Sequence, residues 1–148
     1  MTGAEIVFRE RLTPRAFVFV IVEAFVAMVG IAYGAPFGAR VGWIVFIGAS
    51  ILAIWALLAS SPTIEVTATH LRAGAARIER SKIAGVTALD PAAFRLARGR
   101  ETDARRFSLM RSWRSGSGVL ITIDDPDDPH PAWILTTARP ADLAAALA

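Results

Sequence analysis

AFVFVIVEAFVAMVGIAYG, residues 16–34, and VGWIVFIGASILAIWALLA, residues 41–59, decide the fold. Each run has about nineteen residues, which at ~1.5 Å of rise per residue gives roughly 28 Å of helix. A bilayer's hydrocarbon core is about 30 Å thick, so each run is long enough to cross it with little tilt. APFGAR, holding Pro36 and Gly38, lies between them and predicts a tight turn. Residues 16–59 therefore read as a two-helix transmembrane hairpin. Trp43 and Trp55 fall near opposite ends of the second run, where interfacial anchors belong. Gly30 and Gly34 make a GxxxG pair, which lets two helices approach closely.

One ionisable residue, Glu23, interrupts the first run. A carboxylate at that depth costs on the order of 2.5–3.5 kcal/mol on insertion scales, so it is an intramembrane polar candidate site. The plainer reading, a protonated or helix-bonded carboxyl, carries more weight, since neither run offers a second proton-relay or ion-binding group.

The hairpin accounts for a hydrophobic fraction of 54% and a mean hydropathy of +0.47 in a chain of 148 residues. What is left is room for one small domain. Net charge is +3, with Lys82 the only lysine and no Asn or Gln. With its abundant alanine this is the composition of a GC-rich genome rather than of selected arginine chemistry. No cysteine occurs, which excludes disulfides, thiolate metal sites and a cysteine nucleophile. A cleaved signal peptide fits poorly, because the first apolar core exceeds the usual 7–15 residues and a second run follows at once. Arg9, Arg11 and Arg15 precede the hairpin, and Arg72, Arg77, Arg80 and Lys82 follow it, with Arg40 alone in the link. The positive-inside rule then places both termini in the cytoplasm of a multi-pass cell-membrane protein.

Residues 1–15 read as a cytoplasmic lead-in, with helical character up to Pro14. From Pro62 the period changes. TIEVTA (63–68) alternates Ile64, Val66 and Ala68 with polar residues, which predicts a half-buried strand. LRAG (71–74), ARIE (76–79) and IAGVTAL (83–89) continue an antiparallel meander. DPAAFRLARG opens on Asp90 as a helix cap with Pro91 in first position. FSLM is a weak strand, GVLITID a strong one, DDPDDPH a turn and AWILTT the returning strand. RPADLAAALA closes the chain as a helix, with Asp142 in its first turn where the dipole favours it. The fold class is thus membrane α + β: a helical hairpin, then a domain at 62–148 of about seven antiparallel strands in one bent sheet, closed by a C-terminal helix. That order is similar to a pleckstrin-homology-like domain, an analogy of fold and not of function.

The RERL start (9–12), the two apolar runs, IEVTATHLRAG, and above all GVLITIDDPDDPHPAWILTTARPADLAAAL carry a resemblance. The chain resembles an uncharacterised actinobacterial family of small two-span membrane proteins, a domain of unknown function. The resemblance covers nearly the whole chain and implies architecture but no activity.

Candidate chemistry is sparse. Asp124, Asp125, Asp127, Asp128 and His130 lack the Gly and Glu of an EF-hand loop, and Pro126 and Pro129 suit a rigid turn better than a metal site. RSGSG is not a nucleophile elbow. No phosphate loop or dinucleotide fingerprint occurs, so neither an enzyme nor a cofactor is expected. The remaining signal is basic: Arg95, Arg98, Arg100, Arg105, Arg106, Arg111 and Arg114, offset by Glu101 and Asp103 and interleaved with Phe107 and Trp113. A solvated loop is the plain reading. Tethering at a bilayer favours anionic lipid headgroups or a membrane protein as partner over nucleic acid. The expected function is a membrane-anchored binding or scaffold module. The alternative is an accessory subunit of a larger membrane enzyme or transporter.

Overall fold

A computed structural model describes residues 5–99, 104–111, 113 and 115–148. The chain divides into two compact units, one holding the residues up to Leu12 together with Pro62–Ala148, the other Thr13–Ser61. The smaller unit is the hairpin: α1 (Ala16–Phe37) and α2 (Ala39–Ala59). Both are long and apolar enough to span a membrane, with mean hydropathies of 2.3 and 2.4. Helix α1 continues past the expected turn and takes in Pro36. Pro36 has no N–H to donate to the carbonyl four residues earlier, so this last turn lacks that backbone hydrogen bond. The reversal falls on Gly38 alone, at φ 92°, a conformation that favours glycine.

The larger unit begins with a strand. Residues 6–11, expected as part of a lead-in, form β1 (Ile6–Arg11) and pair antiparallel with β2 (Thr63–Thr67). Phe8, Glu10 and Leu12 point inward, and Leu12 N–H donates to the Pro62 carbonyl at 2.9 Å, so the pairing runs up to the hairpin's two attachment points. The physical reason the lead-in reading fails is Glu10: a charged residue on the buried face disguises the period-two alternation. The hairpin is therefore an insertion between two neighbouring strands of one domain.

β3 (His70–Ala73) and β4 (Ala76–Glu79) complete a four-stranded antiparallel sheet in the order β1-β2-β3-β4. Gly74, at φ 62°, begins the two-residue turn between them, as a type II′ hairpin requires. After a 3-10 turn at Arg80–Lys82 come β5 (Ile83–Leu89), α3 (Pro91–Arg98), β6 (Phe107–Leu109), β7 (Gly118–Ile123), β8 (Ala132–Thr136) and α4 (Pro140–Leu147). The expectation of one bent antiparallel sheet is corrected here. The strands after Lys82 form a second sheet in the order β5-β7-β8-β6, with β6 parallel to β8. The chain from β5 passes through α3 before β6, so β6 reaches the far edge by a long crossover, which permits parallel pairing.

The two sheets share one core. Phe8, Ile64, Val66, Leu71 and Ile78 of the first meet Val119, Ile121, Trp133 and Leu135 of the second, and Leu143 and Leu147 of α4 close it. The outer face of the second sheet is covered by α3, whose Phe94 is fully buried with Leu89, Ala97 and Ile134. Burying such a side chain is worth about 1.5–3 kcal/mol. Asp90 caps α3 as its sequence foretells, its Oδ1 accepting from the Ala93 N–H at 2.8 Å.

Candidate functional site

Within the hairpin, Glu23 has a partner that the sequence reading passed over. Ser50 of α2 donates its hydroxyl to Glu23 Oε2 at 2.7 Å. Interhelical hydrogen bonds of this kind average about 0.6 kcal/mol, with a maximum near 1.7. The other oxygen, Oε1, is buried with no hydrogen-bond partner among the described residues. Towards the turn the helices touch through glycine. A Cβ placed on Gly42 would lie 2.8 Å from the Gly30 carbonyl oxygen and 2.9 Å from Gly34 Cα, so the GxxxG pair of α1 is completed by a third glycine from α2. Ser50 and Gly42 carry no signal in the sequence by themselves, because a serine or glycine in an apolar run is ordinary until its register with the other helix is known. An apolar groove of about 490 Å³ lies beside this crossing, lined by Gly30, Gly34, Gly42, Trp43 and Phe46 among others.

Of the arginines expected as one basic site, the five that are described are distributed over separate elements. Arg95 and Arg98 sit in the last turn of α3, where cations complement the dipole. Arg95 Nε donates to the Pro91 carbonyl at 3.3 Å, and the Arg98 guanidinium lies 5.5 Å from the centre of the Phe94 ring. Arg105 and Arg106 precede β6, and Arg111 follows it, so a strand separates them. Arg111 stands 5.6 Å from the Trp113 ring and donates to the Met110 carbonyl at 3.2 Å, while its backbone N–H reaches Thr136 Oγ1 at 3.1 Å. Arg100 and Arg114 lie outside the described residues.

The acidic turn uses its carboxylates internally. Asp128 Oδ1 accepts from the His130 backbone N–H at 2.8 Å and lies 3.1 Å from the ring Nδ1. Asp125 Oδ1 accepts from Lys82 Nζ at 3.1 Å and from the Asp127 N–H at 3.2 Å. Among the described residues no group of His, Asp and Glu is placed to hold a metal ion. The Lys82 hydrogen bond, then that of the Asp127 N–H, hold the Asp125 carboxyl below its usual 3.8. The same bond and the Asp125 charge hold Lys82 above 10.5.

The signs give a pH dependence. Asp125 stabilises the fold above pH 3.8, and the gain is lost as pH falls through its lower folded value. Lys82 stabilises it below pH 10.5, and that gain is lost as pH rises through its higher folded value. Between the two limits the contribution is constant and, for a half-exposed pair, small. Urea unfolding of the wild type and of Asp125→Asn should differ near neutral pH and converge in acid. A difference that persists unchanged below both carboxyl values would contradict this assignment.

Glu10 is the other buried carboxylate that the sequence reading missed. It accepts from the Thr137 hydroxyl and from the Ala138 N–H, the latter at 3.1 Å. Arg139 adds a second tie, donating to the Arg9 carbonyl at 2.8 Å while its guanidinium lies 4.6 Å from the centre of the Phe8 ring. These groups hold β1 to the segment between β8 and α4. Thr137 is fully buried, so its hydroxyl is a structural tie and not an accessible nucleophile.

The molecule so defined is an α + β protein in which two long apolar helices are inserted between the first two strands of a two-sheet domain. Over residues 7–147 it matches the family described as "Protein of unknown function (DUF3093)", and the chain belongs to that family. No curated protein and no solved structure was found to match it.

Proposed function

We propose that this protein is a membrane-anchored, non-enzymatic binding or scaffold module, which presents its β domain at the cytoplasmic face of the cell membrane. The observation that carries the reading is the hairpin's surface. Only 11% of α1's apolar window and 6% of α2's is buried, and Phe17, Val20, Phe25, Ile31, Trp43 and Trp55 are each at least half exposed. A core helix of a soluble protein would bury most of that area; a bilayer accounts for it.

The pairing of β1 with β2 supports two spans rather than one. Residues on either side of the hairpin are hydrogen-bonded to each other, which supports a chain that leaves and returns on the same side of a membrane. It also argues against a cleaved leader, since cleavage after the first run would remove β1 from the sheet. Arg9, Arg11 and Arg15 before the hairpin and Arg72, Arg77, Arg80 and Lys82 after it favour the cytoplasmic side for both ends, by the positive-inside rule.

The β domain supports a pleckstrin-homology-like identity: an antiparallel meander, a second sheet, and a last helix packed against β1, β5 and β7. Its alanine- and arginine-rich composition is in keeping with an actinobacterial source. The accessory-subunit reading is favoured by a separate observation, a buried Glu23 Oε1 with no hydrogen-bond partner among the described residues together with the apolar groove, which a helix of a larger complex would complete. Reporter fusions after Gly38 and after Ala148 test the anchoring. The C-terminal fusion should report the cytoplasm and the loop fusion the outside; an external C-terminus would refute it.

A further inference from the structure

We propose that the outer face of the β1-β2-β3-β4 sheet, at the end where β1 stops and β2 starts, binds the phosphates of anionic phospholipid headgroups. The inference rests on the anchoring proposed above and moves the basic site from the arginines around α3 and β6 to a different set. Register places Arg9, Glu65, Arg72 and Arg77 in one row across all four strands, with Arg11 opposite Thr63 beside them. The four arginines are exposed. Only Glu65 opposes them in this row, and Arg9 Nε already lies 3.2 Å from its Oε1.

Arg72 and Arg77 stand directly opposite each other on adjacent strands, which puts their Cβ atoms about 4.5–5.5 Å apart. Like charges so placed destabilise a sheet unless an anion joins them. Arg72 donates its Nε to the Gly74 carbonyl at 3.2 Å, and Arg77 makes no hydrogen bond or ion pair among the described residues. A polar groove of about 270 Å³, lined by Pro62, Thr63, Glu65, Arg72 and Gly74, opens beside the row. Planar guanidinium groups grip a phosphate in two places, which suits this spacing.

The opposite end of the same face is different. There His70 pairs with Glu79, and the Arg80 guanidinium is engaged by the carbonyl oxygens of Thr67 and Ala148. Positive charge is therefore concentrated at one end, and the covalent chain says which end that is. Leu12 to Arg15 join β1 to α1, and Ser60 to Pro62 join α2 to β2. At ~3.6 Å per residue neither link exceeds about 14 Å. With the helix ends at headgroup level, these arginines come within reach of a leaflet whose anionic lipid attracts basic residues.

The test uses the full chain in nanodiscs of phosphatidylcholine alone or with added phosphatidylglycerol, and counts the lipids retained by native mass spectrometry. The wild type should retain phosphatidylglycerol preferentially, and less of it at high salt. Each basic residue near an anionic surface is worth about five-fold, so R72Q/R77Q should lower retention by roughly 25-fold. R95Q/R98Q, with the same change in charge, should leave it nearly unchanged. R72K/R77K, which keeps the charge and loses the fork, should fall between the two and separates lost binding from lost folding. Inorganic phosphate at constant ionic strength should not displace the lipid; displacement would assign the site to free phosphate and overturn the proposal. Equal loss in both Gln variants, or no preference for phosphatidylglycerol, would overturn it as well. A chain that does not insert into the nanodisc refutes the anchoring, and this surface with it; insertion without preference refutes the surface alone.

Discussion

Deleting residues 1–12 should unfold the β domain, although every other strand remains in the chain. Phe8 and Leu12 are buried in the shared core, and Leu12 is fully inaccessible. Large-to-small truncation at such sites costs about 3–5 kcal/mol for Phe and 2–5 for Leu, together close to the ~5–15 kcal/mol that keeps a domain folded. The deletion also bares the ladder edge of β2 and strips Glu10 from the Thr137 hydroxyl and the Ala138 N–H. Amide exchange in β2, β7 and β8 should lose its protection, and proteolysis should cut where the wild type resists. A fragment starting at Pro62 should behave likewise. Native-like protection in either would show that β1 is an accessory to the sheet and not part of it.

The second large effect lies at Gly118, the first residue of β7. A Cβ there would overlap the Leu135 carbonyl oxygen and the Phe94 ring, with Cδ2 of that ring at 2.7 Å. One obstacle is backbone and the other is a side chain with no room to turn, since Phe94 is fully buried. Overpacking typically costs about 1–3 kcal/mol, and Gly118→Ala belongs at the upper end. Amides of β7 and β8 that exchange by global opening should then exchange about a hundredfold faster. Gly116→Ala is the control, because nothing lies within 4 Å of the Cβ it would add. Equal behaviour of the two variants would mean that α3 gives way to the new methyl group.

What the sequence made legible follows from how local each signal is. The apolar runs, the alternation in TIEVTA and LITI, and the Asp90-Pro91 cap are readable because each is decided within a few residues. Strand β1 was hidden by one inward carboxylate, Glu10, whose partners stand at Thr137 and Ala138, far along the chain. The split into two sheets was hidden because it depends on β6, a three-residue strand too short to show a period, pairing parallel with β8. The arginines from Arg95 to Arg114 look like a cluster in the sequence because they are neighbours there. In the fold, α3 and β6 distribute the described ones, Arg95, Arg98, Arg105, Arg106 and Arg111, while Arg9, Arg72 and Arg77 come into one row from three different strands. Likewise Ser50 becomes the partner of Glu23 only when two helices are laid side by side.

The central claim is that the apolar hairpin is an anchor inserted into an otherwise self-sufficient β domain. Its most direct measurement replaces residues 13–61 with a short glycine-rich turn, joining β1 straight to β2, and follows the protein through alkaline carbonate extraction of membranes. The hydrogen bond from Leu12 to the Pro62 carbonyl shows that the two cut ends already meet at 2.9 Å, so a tight turn closes them without strain. The account predicts that the full chain stays with the membrane, while the shortened chain is released as a folded, soluble domain with the amide protection of the original. Release of the full chain, or a shortened chain that is unfolded or still held in the membrane, would contradict it.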